Sequence, residues 1–288
     1  FLLVAVTGTA VAAYHPLSSM LVGRTARAGR GNGMMSYFIA GGNAGMAFVP
    51  LVLVAFLEML SLSALPLLIL PALLMGILFA RSGLCAVSSL PERTAGARPK
   101  LRHVLLARTT ITLNLAMGLR CWTHGAFGTF LPLLLVGNGE DTRAAGLFLT
   151  IFMVGGMMGG LFGGNLADQF TGRRIIVTSL VLGILPCAYY FTHVSADVLG
   201  GIVLFAAGFA LMAPQPSSII WAQQALPENA AMASGMMLGM SFGLGSLGVA
   251  ATAALGDVIG LAPALLVSVL ALPLAAILAH ITPEPKNR

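Results

Sequence analysis

The chain has 288 residues, of which only 8% are charged and 58% are hydrophobic, and its mean hydropathy is +0.94. A water-soluble fold is excluded, because soluble domains are typically about 25% charged and need that polar surface to cover their core. The net charge of +6 comes from basic residues in short gaps between apolar runs, and no recognition module accompanies them, so no nucleic-acid partner is expected.

Apolar runs long enough to cross a bilayer recur nine times along the chain. A spanning helix needs about 20 mostly apolar residues. The runs lack the alternation of a membrane β-barrel, so they predict an all-α integral membrane protein surrounded by lipid. The predicted spans lie near 1–23, 33–57, 62–80, 104–136, 144–167, 174–193, 198–222, 231–254 and 259–281.

The chain opens at Phe1, directly inside an apolar run, without the basic region and cleavage site of a secretory signal. The widest gap, 82–103, contains two prolines and several arginines and is typical of a linker. Three runs precede this gap and six follow it. For a transporter of two six-helix halves, this asymmetry predicts a truncated front. Residues 1–81 would be the remainder of the N-terminal bundle, and 104–288 the C-terminal six-helix bundle.

Basic residues predict the orientation of the chain in the membrane. If the sides alternate from a cytoplasmic first gap, 13 of the 15 basic residues are cytoplasmic, whereas Arg143 is outside and Arg120 lies within a span. The positive-inside rule then predicts a multi-pass protein of the inner membrane with its C-terminus in the cytoplasm. The 13 residues are Arg24, Arg27, Arg30, Arg81, Arg93, Arg98, Lys100, Arg102, Arg108, Arg173, Arg174, Lys286 and Arg288.

Cysteine and histidine spacing indicates no cofactor, metal or enzyme site. Cys85, Cys121 and Cys187 are far apart and form no CxxC pair. Together with His15 and His124, they lack the spacing of a zinc site or an activated nucleophile. The thiols are expected to be buried and inert.

A turn between the fifth and sixth runs carries the most specific pattern. Its glycines permit close backbone approach, and its carboxylate can pair with the guanidiniums, which can also bind helix-end carbonyls. A basic loop with a stray Asp is the plain alternative. The turn reads Gly164-Asn-Leu-Ala-Asp168-Gln-Phe-Thr-Gly172-Arg173-Arg174.

This turn resembles the Gly-x-x-x-Asp-Arg-x-Gly-Arg-Lys signature of the major facilitator superfamily. One residue is inserted before the second glycine, and Gln169 replaces the usual base. In that family the signature lies between helices two and three and again between eight and nine. Three runs follow this copy, so the resemblance makes it the second copy and makes the first run helix four. The resemblance implies the major facilitator fold and a gating role for Gly164, Asp168, Gly172, Arg173 and Arg174.

Three further stretches resemble the fosmidomycin-resistance branch of that family. The second is related to the antiporter motif, although Val49 stands where a glycine usually precedes the proline. Efflux and proton coupling are implied by this resemblance alone. The stretches are Tyr14-His15-Pro16-Leu-Ser-Ser19, Gly41-Gly42-Asn43-Ala-Gly45 with Pro50, and Ala222-Gln223-Gln224-Ala-Leu-Pro227 with the Gly-rich 235–248.

Ionisable residues within a span are costly and are therefore functional candidates. Arg120 lies in the fourth run, with His124 four residues later on the same helical face. We expect Arg120 to face a substrate cavity; the alternative is an arginine tied to carbonyls or to a partner helix. His15, beside Pro16, either faces a polar cavity or bonds to the carbonyl that the proline frees.

Amide side chains complete the predicted substrate-binding set. Gln215 lies between Pro214 and Pro216, and a doubly interrupted helix is typical of backbone that lines a cavity. Asn43 is either a ligand contact or an interhelical hydrogen-bonding group. The set is Arg120, His124, His15, Asn43 and Gln215. Glycine repeats at Gly155, Gly156, Gly159 and Gly160, and at Gly239 and Gly243, predict packing seams.

No Asp or Glu lies deep in any of the nine runs. In this sequence only His15 and His124 could then carry a coupled proton, unless the carrier lies in the helices predicted to be missing. An arginine and two histidines within the spans, without a counter-acid, favour an anionic substrate. The resemblance points the same way, because fosmidomycin is a phosphonate, which guanidinium binds well. The expected function is proton-coupled efflux of a small anion by alternating access. The alternatives are an uptake permease on the same fold and a non-transporting truncated product.

Overall fold

A computed structural model describes residues 2–83 and 107–284 of the chain. Every regular element in these two ranges is helical, which confirms the all-α prediction. The elements are α1 (Leu2–Thr25), α2 (Gly31–Leu60), a 3₁₀ helix (Leu62–Leu68), α3 (Ile69–Arg81), α4 (Arg108–Gly137), α5 (Thr142–Gln169), α6 (Gly172–Thr192), α7 (Val198–Met212), α8 (Pro214–Ala225), a 3₁₀ turn (Pro227–Asn229), α9 (Ala230–Ile259), α10 (Leu261–Val269) and α11 (Ala271–Ile281).

Six helical segments in the described ranges are long and apolar enough to cross a membrane. Helices α1, α2 and α4 occupy the other three predicted runs. The predicted linker, 82–103, lies outside the described residues apart from its first two, and so does Cys85. The six segments are Leu62–Arg81, Thr142–Gln169, Gly172–Thr192, Val198–Ala225, Pro227–Ile259 and Leu261–Ile281.

The chain forms two compact units, one of residues 1–44 with 105–288 and one of residues 45–104. The smaller unit contains the later part of α2, the 3₁₀ helix and α3, and the side chains of α3 are all exposed. The larger unit contains α1, the start of α2 and all helices from α4 onward. The predicted division at 82–103 stays a prediction.

An aromatic cluster lies at the centre of the larger unit, where α4, α5 and α6 meet. Phe127 stacks on Phe152 with ring centroids 4.9 Å apart and on Phe191 at 4.2 Å. All three rings are buried. Aromatic pairs of this kind contribute about 0.5–1.5 kcal/mol beyond the burial of their area, so the cluster fixes the relative positions of the three helices.

Glycines of α5 allow its backbone to touch that of α7. A methyl group at Gly155 or Gly159 would overlap the backbone of Phe205 or Phe209, respectively. The seam predicted at these positions is confirmed. The one predicted at Gly239 and Gly243 is wrong for the described residues, because nothing lies within 4 Å of a Cβ at either position.

The seam of α9 instead begins further along the helix, and α4 is its partner. A methyl group at Gly245 would overlap Cys121, and one at Gly248 would overlap the ring of Trp122. Trp122 Nε1 also donates a hydrogen bond of 2.8 Å to Thr252 Oγ1 on α9. The closest approach of α9 to α4 therefore lies around Cys121 and Trp122.

The α5–α7 seam predicts that Gly159→Ala destabilises the protein. Overpacking a tight contact typically costs about 1–3 kcal/mol, and the atom in the way here is backbone, which cannot swing aside. The matched control is Gly146→Ala on the same helix, where nothing lies within 4 Å of the added carbon. Thermal unfolding in detergent should show a lower midpoint for Gly159→Ala only. Equal midpoints for the two variants would contradict the seam.

Candidate functional site

The carboxylate of Asp168, at the end of α5, caps the first turn of α2. Asp168 Oδ1 accepts hydrogen bonds from the backbone N–H and the Nδ2 of Asn32, both at 2.9 Å. Asp168 Oδ2 accepts one from the Gly33 N–H at 2.7 Å. This contact, which we call the Asp168 cap, joins residues 136 positions apart in the chain.

Helix α2 receives this cap at a start where its own sequence provides no side-chain acceptor. The first N–H groups of a helix lack intrahelical partners and carry partial positive charge. The residue that would normally supply an accepting side chain is Arg30, whose guanidinium has only donors. No acidic residue lies in the first turn of α2. Asp168 therefore fills the role of an N-cap side chain from another helix.

Two glycines make the cap sterically possible. An added methyl group at Gly33 would lie 2.7 Å from Asp168 Oδ2. A methyl group at Gly164, one turn before the aspartate, would overlap Asn32 O and the Ser36 side chain. The glycine at the start of the sequence motif therefore lets α5 reach the end of α2. That close approach was expected from the motif, but its partner was not.

The basic residues of the turn do not pair with Asp168 in the described structure. Arg173 forms an ion pair with Glu284, with 3.1 Å between Nε and Oε1, and donates from its Nη2 to Thr282 O. Its guanidinium also lies over the ring of Trp221, 5.6 Å from the centroid. Arg173 thus follows the second predicted option, a carbonyl at the end of a helix, and secures the tail after α11.

The other two residues of the predicted gating loop have local roles. Gly172 begins α6, and an added methyl group would make ordinary contact, 3.5 Å, with Ser217 Cβ. Arg174 is exposed. Its backbone N–H donates a hydrogen bond of 3.2 Å to the hydroxyl of Thr171, which caps α6. The gating roles of the five loop residues stay predictions.

Arg120 lies buried inside the larger unit, with 2% of its surface exposed. Its Nη1 donates to Leu211 O at 2.9 Å and contacts Met212 Sδ at 3.3 Å. Leu211 O is among the last four carbonyls of α7, which have no partner within a helix that ends before Pro214. The Nη2 atom of Arg120 lies 2.9 Å from Cys121 Sγ. The arrangement matches the alternative left open by the sequence, an arginine tied to a carbonyl of a partner helix.

The other predicted substrate contacts fall into two groups. His124 lies one turn after Arg120 on α4. Gln215 lies one turn after Leu211, whose carbonyl binds Arg120. The His124 ring packs on Phe152 with 5.3 Å between centroids. His15, on α1, is exposed, and Asn43, on α2, is half-buried. Among the described residues no contact joins these two to Arg120.

Several buried polar atoms, two of them in the predicted set, have no hydrogen-bond partner in the described part of the chain. They include Arg120 Nε, Gln215 Oε1 and Asn114 Oδ1. Buried polar atoms are normally paired with protein or water. These three can therefore still bind a water molecule or a ligand. Across residues 2–83 and 107–284, no group of three His, Cys, Asp or Glu side chains is placed to hold a metal ion.

A cleft of roughly 470 Å³ opens beside the Asp168 cap. It makes the cap reachable by water, so breaking the cap does not require an empty space to form in the protein interior. Its lining comes from the turn before α2, the first turns of α2 and the end of α5: Gly29, Arg30, Gly33, Met34, Tyr37, Asn165, Asp168 and Gln169.

Sequence reasoning missed three contributors to this end of the protein. Asn32 and Gly33 supply the donors of the cap, and Gln223 joins α8 to α1 through Ser19 O. The signal for the first two was a helix start, Gly-Asn-Gly, preceded by Arg30, which has no acceptor side chain for the N-cap position. Nothing in the spacing of Gln223 distinguishes it from its neighbour Gln224.

Comparisons with known proteins agree with this architecture. The family model described as Major Facilitator Superfamily matches residues 1–250. The uncharacterized MFS-type transporter YfnC of Bacillus subtilis is 26% identical over 97% of this chain and 69% of its own length. The fosmidomycin resistance protein of Escherichia coli is 26% identical over 88% of this chain and 63% of its own length.

A solved structure has the same fold. The major facilitator superfamily transporter FucP, crystallised in the outward conformation, superposes with a TM-score of 0.71 at 16% identity. The match covers 95% of this chain and 72% of FucP.

The Asp168 cap predicts that Asp168→Asn weakens contact between α2 and α5. Hydrogen bonds to a charged group contribute about 1.5–3 kcal/mol, so the ratio of separated to joined forms should rise about ten-fold or more. Spin labels at Ala28→Cys and Glu228→Cys, both exposed positions, would report this as a longer-distance population.

The control for that experiment is Asp141→Asn. Asp141 caps its own helix, α5, through a 2.6 Å bond from the Ala144 N–H, so it joins no second helix. It should leave the distance distribution unchanged. An Asp168→Asn distribution identical to that of Asp141→Asn would show that the cap does not hold the two helices together.

Proposed function

Because this chain belongs to the major facilitator superfamily, whose members are membrane transporters and not enzymes, we propose that it expels a small organic anion in exchange for protons. The substrate would cross by alternating access, with the two halves of the transporter rocking about a central site. Arg120 would supply the positive charge of that site. The Asp168 cap would hold one end of the protein closed while the other end is open.

The buried charge of Arg120 is the observation that carries the anionic substrate. Its partners, Leu211 O, Met212 Sδ and Cys121 Sγ, bear no formal charge. Within the described ranges the one ion pair is that of Arg173 with Glu284. A cation inside a membrane span is costly unless it is neutralised. A bound anion would remove that cost.

The geometry leaves one edge of the guanidinium for such an anion. Nη1 is engaged by Leu211 O, whereas Nε has no hydrogen-bond partner among the described residues, and Nη2 meets only the weak acceptor Cys121 Sγ. An Nε and Nη2 pair is the edge through which arginine binds carboxylate, phosphate or phosphonate groups with two parallel bonds. Gln215 and His124 would provide further polar contacts.

Alternating access is supported by the contacts at the end that carries Asp168. Hydrogen bonds that can break and re-form join α2 to α5 and α1 to α8 there, and α1 also packs against α9. We propose that this end faces the cytoplasm, with the C-terminus inside and the protein in the inner membrane, because its basic residues fit the positive-inside rule. The similarity of this chain to the fosmidomycin resistance protein supports the direction of efflux.

The direction and the coupling ion predict how membrane vesicles behave. The vesicles contain the protein expressed from its own gene, and labelled fosmidomycin is the probe anion. Inside-out vesicles with an acidic interior should accumulate the probe, because protons that leave the vesicle drive the anion in. A protonophore should abolish the uptake. Accumulation in right-side-out vesicles would instead indicate an uptake permease, and no accumulation in either would count against anion transport of this class.

The role of Arg120 predicts that Arg120→Leu abolishes transport. Loss of a buried charge that binds the substrate should lower transport at least about 100-fold, the effect of roughly 2.7 kcal/mol of lost binding. Expression and insertion should be largely retained. Transport would be measured in proteoliposomes at equal protein, with thermal stability measured in parallel.

The matched control is Thr123→Val on the same helix. The Thr123 hydroxyl donates a 2.7 Å hydrogen bond to Ser268 O, so this variant also removes a buried side-chain tie to a carbonyl of a partner helix. It should lose stability and retain transport. If Arg120→Leu behaves in the same way, Arg120 is a structural tie and the anion site is wrong.

A further inference from the structure

Gln223, near the end of α8, bridges two parts of the larger unit that are distant in sequence. Its side chain is buried, with 7% of its surface exposed. The Nε2 group donates one hydrogen bond of 2.9 Å to Ser19 O on α1 and a second of 2.8 Å to Ser234 Oγ on α9. Both protons of the amide are therefore used, one for each neighbouring helix.

We infer that this Gln223 bridge is a second, uncharged latch that holds the Asp168 end closed during the transport cycle. The inference rests on the proposed alternating-access mechanism. The Asp168 cap joins α2 to α5, whereas the Gln223 bridge joins α1 to α8 and α9. Each of the first two helices thus has its own connection to the later helices, and both connections must break for this end to open.

Small residues on α1 and α9 give the bridge its close fit. A methyl group at Gly23 would overlap Gln223 Oε1. One turn into α9, a methyl group at Gly235 would lie 3.2 Å from the ring of Pro16. Helix α1 therefore lies against α8 and α9 along the stretch from Pro16 to Gly23. The amide of Gln223 fills the space that a side chain at Gly23 would occupy.

Helix α8 is a firm anchor for such a latch. Two residues before Gln223, Trp221 lies beneath the Arg173 guanidinium and donates from Nε1 to Pro283 O at 3.3 Å. Arg173 in turn holds Glu284. These contacts tie α8 to α6 and to the tail after α11. When α1 separates from α8, the bond that breaks should therefore be the one between Gln223 and Ser19 O.

Burial and neutrality give the bridge a different chemistry from the Asp168 cap. Breaking a buried hydrogen bond leaves its donor unsatisfied until water enters, so the bridge should be either formed or fully hydrated. An amide carries no net charge, and so salt does not screen its bond as it screens a partly exposed carboxylate at a helix end. The joined form that remains after Asp168→Asn should therefore vary little with salt.

The test is Gln223→Ala with spin labels at Ala28→Cys and Glu228→Cys in membranes, in the protein expressed from its own gene. The variant loses both hydrogen bonds of the amide, and the one to Ser19 O is the bond that joins α1 to α8. Its loss should raise the ratio of separated to joined forms about five-fold. The control is Gln224→Ala, the exposed neighbouring amide on the same helix. It should leave the distances unchanged. Equal distributions for the two variants would overturn the inference.

Gly23→Ala provides a test that leaves the amide in place. Its methyl group must displace Gln223 Oε1 and should reproduce the longer-distance population, whereas Gly8→Ala on the same helix has nothing within 4 Å and should not. If Gln223→Ala fails to reach the membrane, Gly23→Ala decides alone, and an unchanged distribution overturns the bridge.

These distance measurements require no substrate and no pH gradient. The latch can therefore fail while anion transport in vesicles succeeds. Conversely, it can be supported even if fosmidomycin is not transported.

Discussion

The first turn of α2 must have its backbone N–H groups satisfied, and this requirement governs the end of the protein that carries Asp168. Other caps in the described part are local: Asp141, Thr171 and Asp197 each accept from a helix that begins beside them. For Asp197, the Gly200 N–H and the Ser195 hydroxyl lower the pKa of the carboxyl below its ordinary value. Compared with these three caps, the cap of α2 differs because its acceptor comes from another helix. The positions of α2 and α5 are therefore linked.

That linkage explains why the turn between α5 and α6 has its composition. Gly164 is needed because α5 touches Asn32 and Ser36, and Asp168 is needed because α2 lacks an acceptor. Arg173 serves a different surface, where it joins Trp221 and the tail. One short motif therefore contacts two separate parts of the larger unit. Its acidic residue reaches α2, and its basic residue binds the tail after α11. In the proposed mechanism the loop would therefore release α2 without loosening the later helices.

Under the proposed function, Arg120 would serve structure and transport in turn. In the described conformation Nη1 is held by Leu211 O, a carbonyl left unpaired where prolines interrupt the path from α7 to α8. A carbonyl is a weaker partner for guanidinium than an anion, because it carries only a partial charge. In the proposed mechanism an anion bound at the Nε and Nη2 edge would therefore draw the guanidinium away from Leu211 O. Any resulting shift would act on the prolines beside Gln215 and, further along α8, on Gln223.

The sequence by itself determined the helical architecture, the family and the glycine seam at Gly155 and Gly159, because these follow from local composition and spacing. Only the tertiary structure decided which groups meet. Asp168 and Asn32 are 136 residues apart, and Gln223 and Ser19 are 204 apart, so no local pattern pairs them. The same holds for Arg120, whose position within a span was predicted but whose particular partner, the Leu211 carbonyl, was not. Main-chain groups carry no side-chain signature, and only packing brings one particular carbonyl within reach.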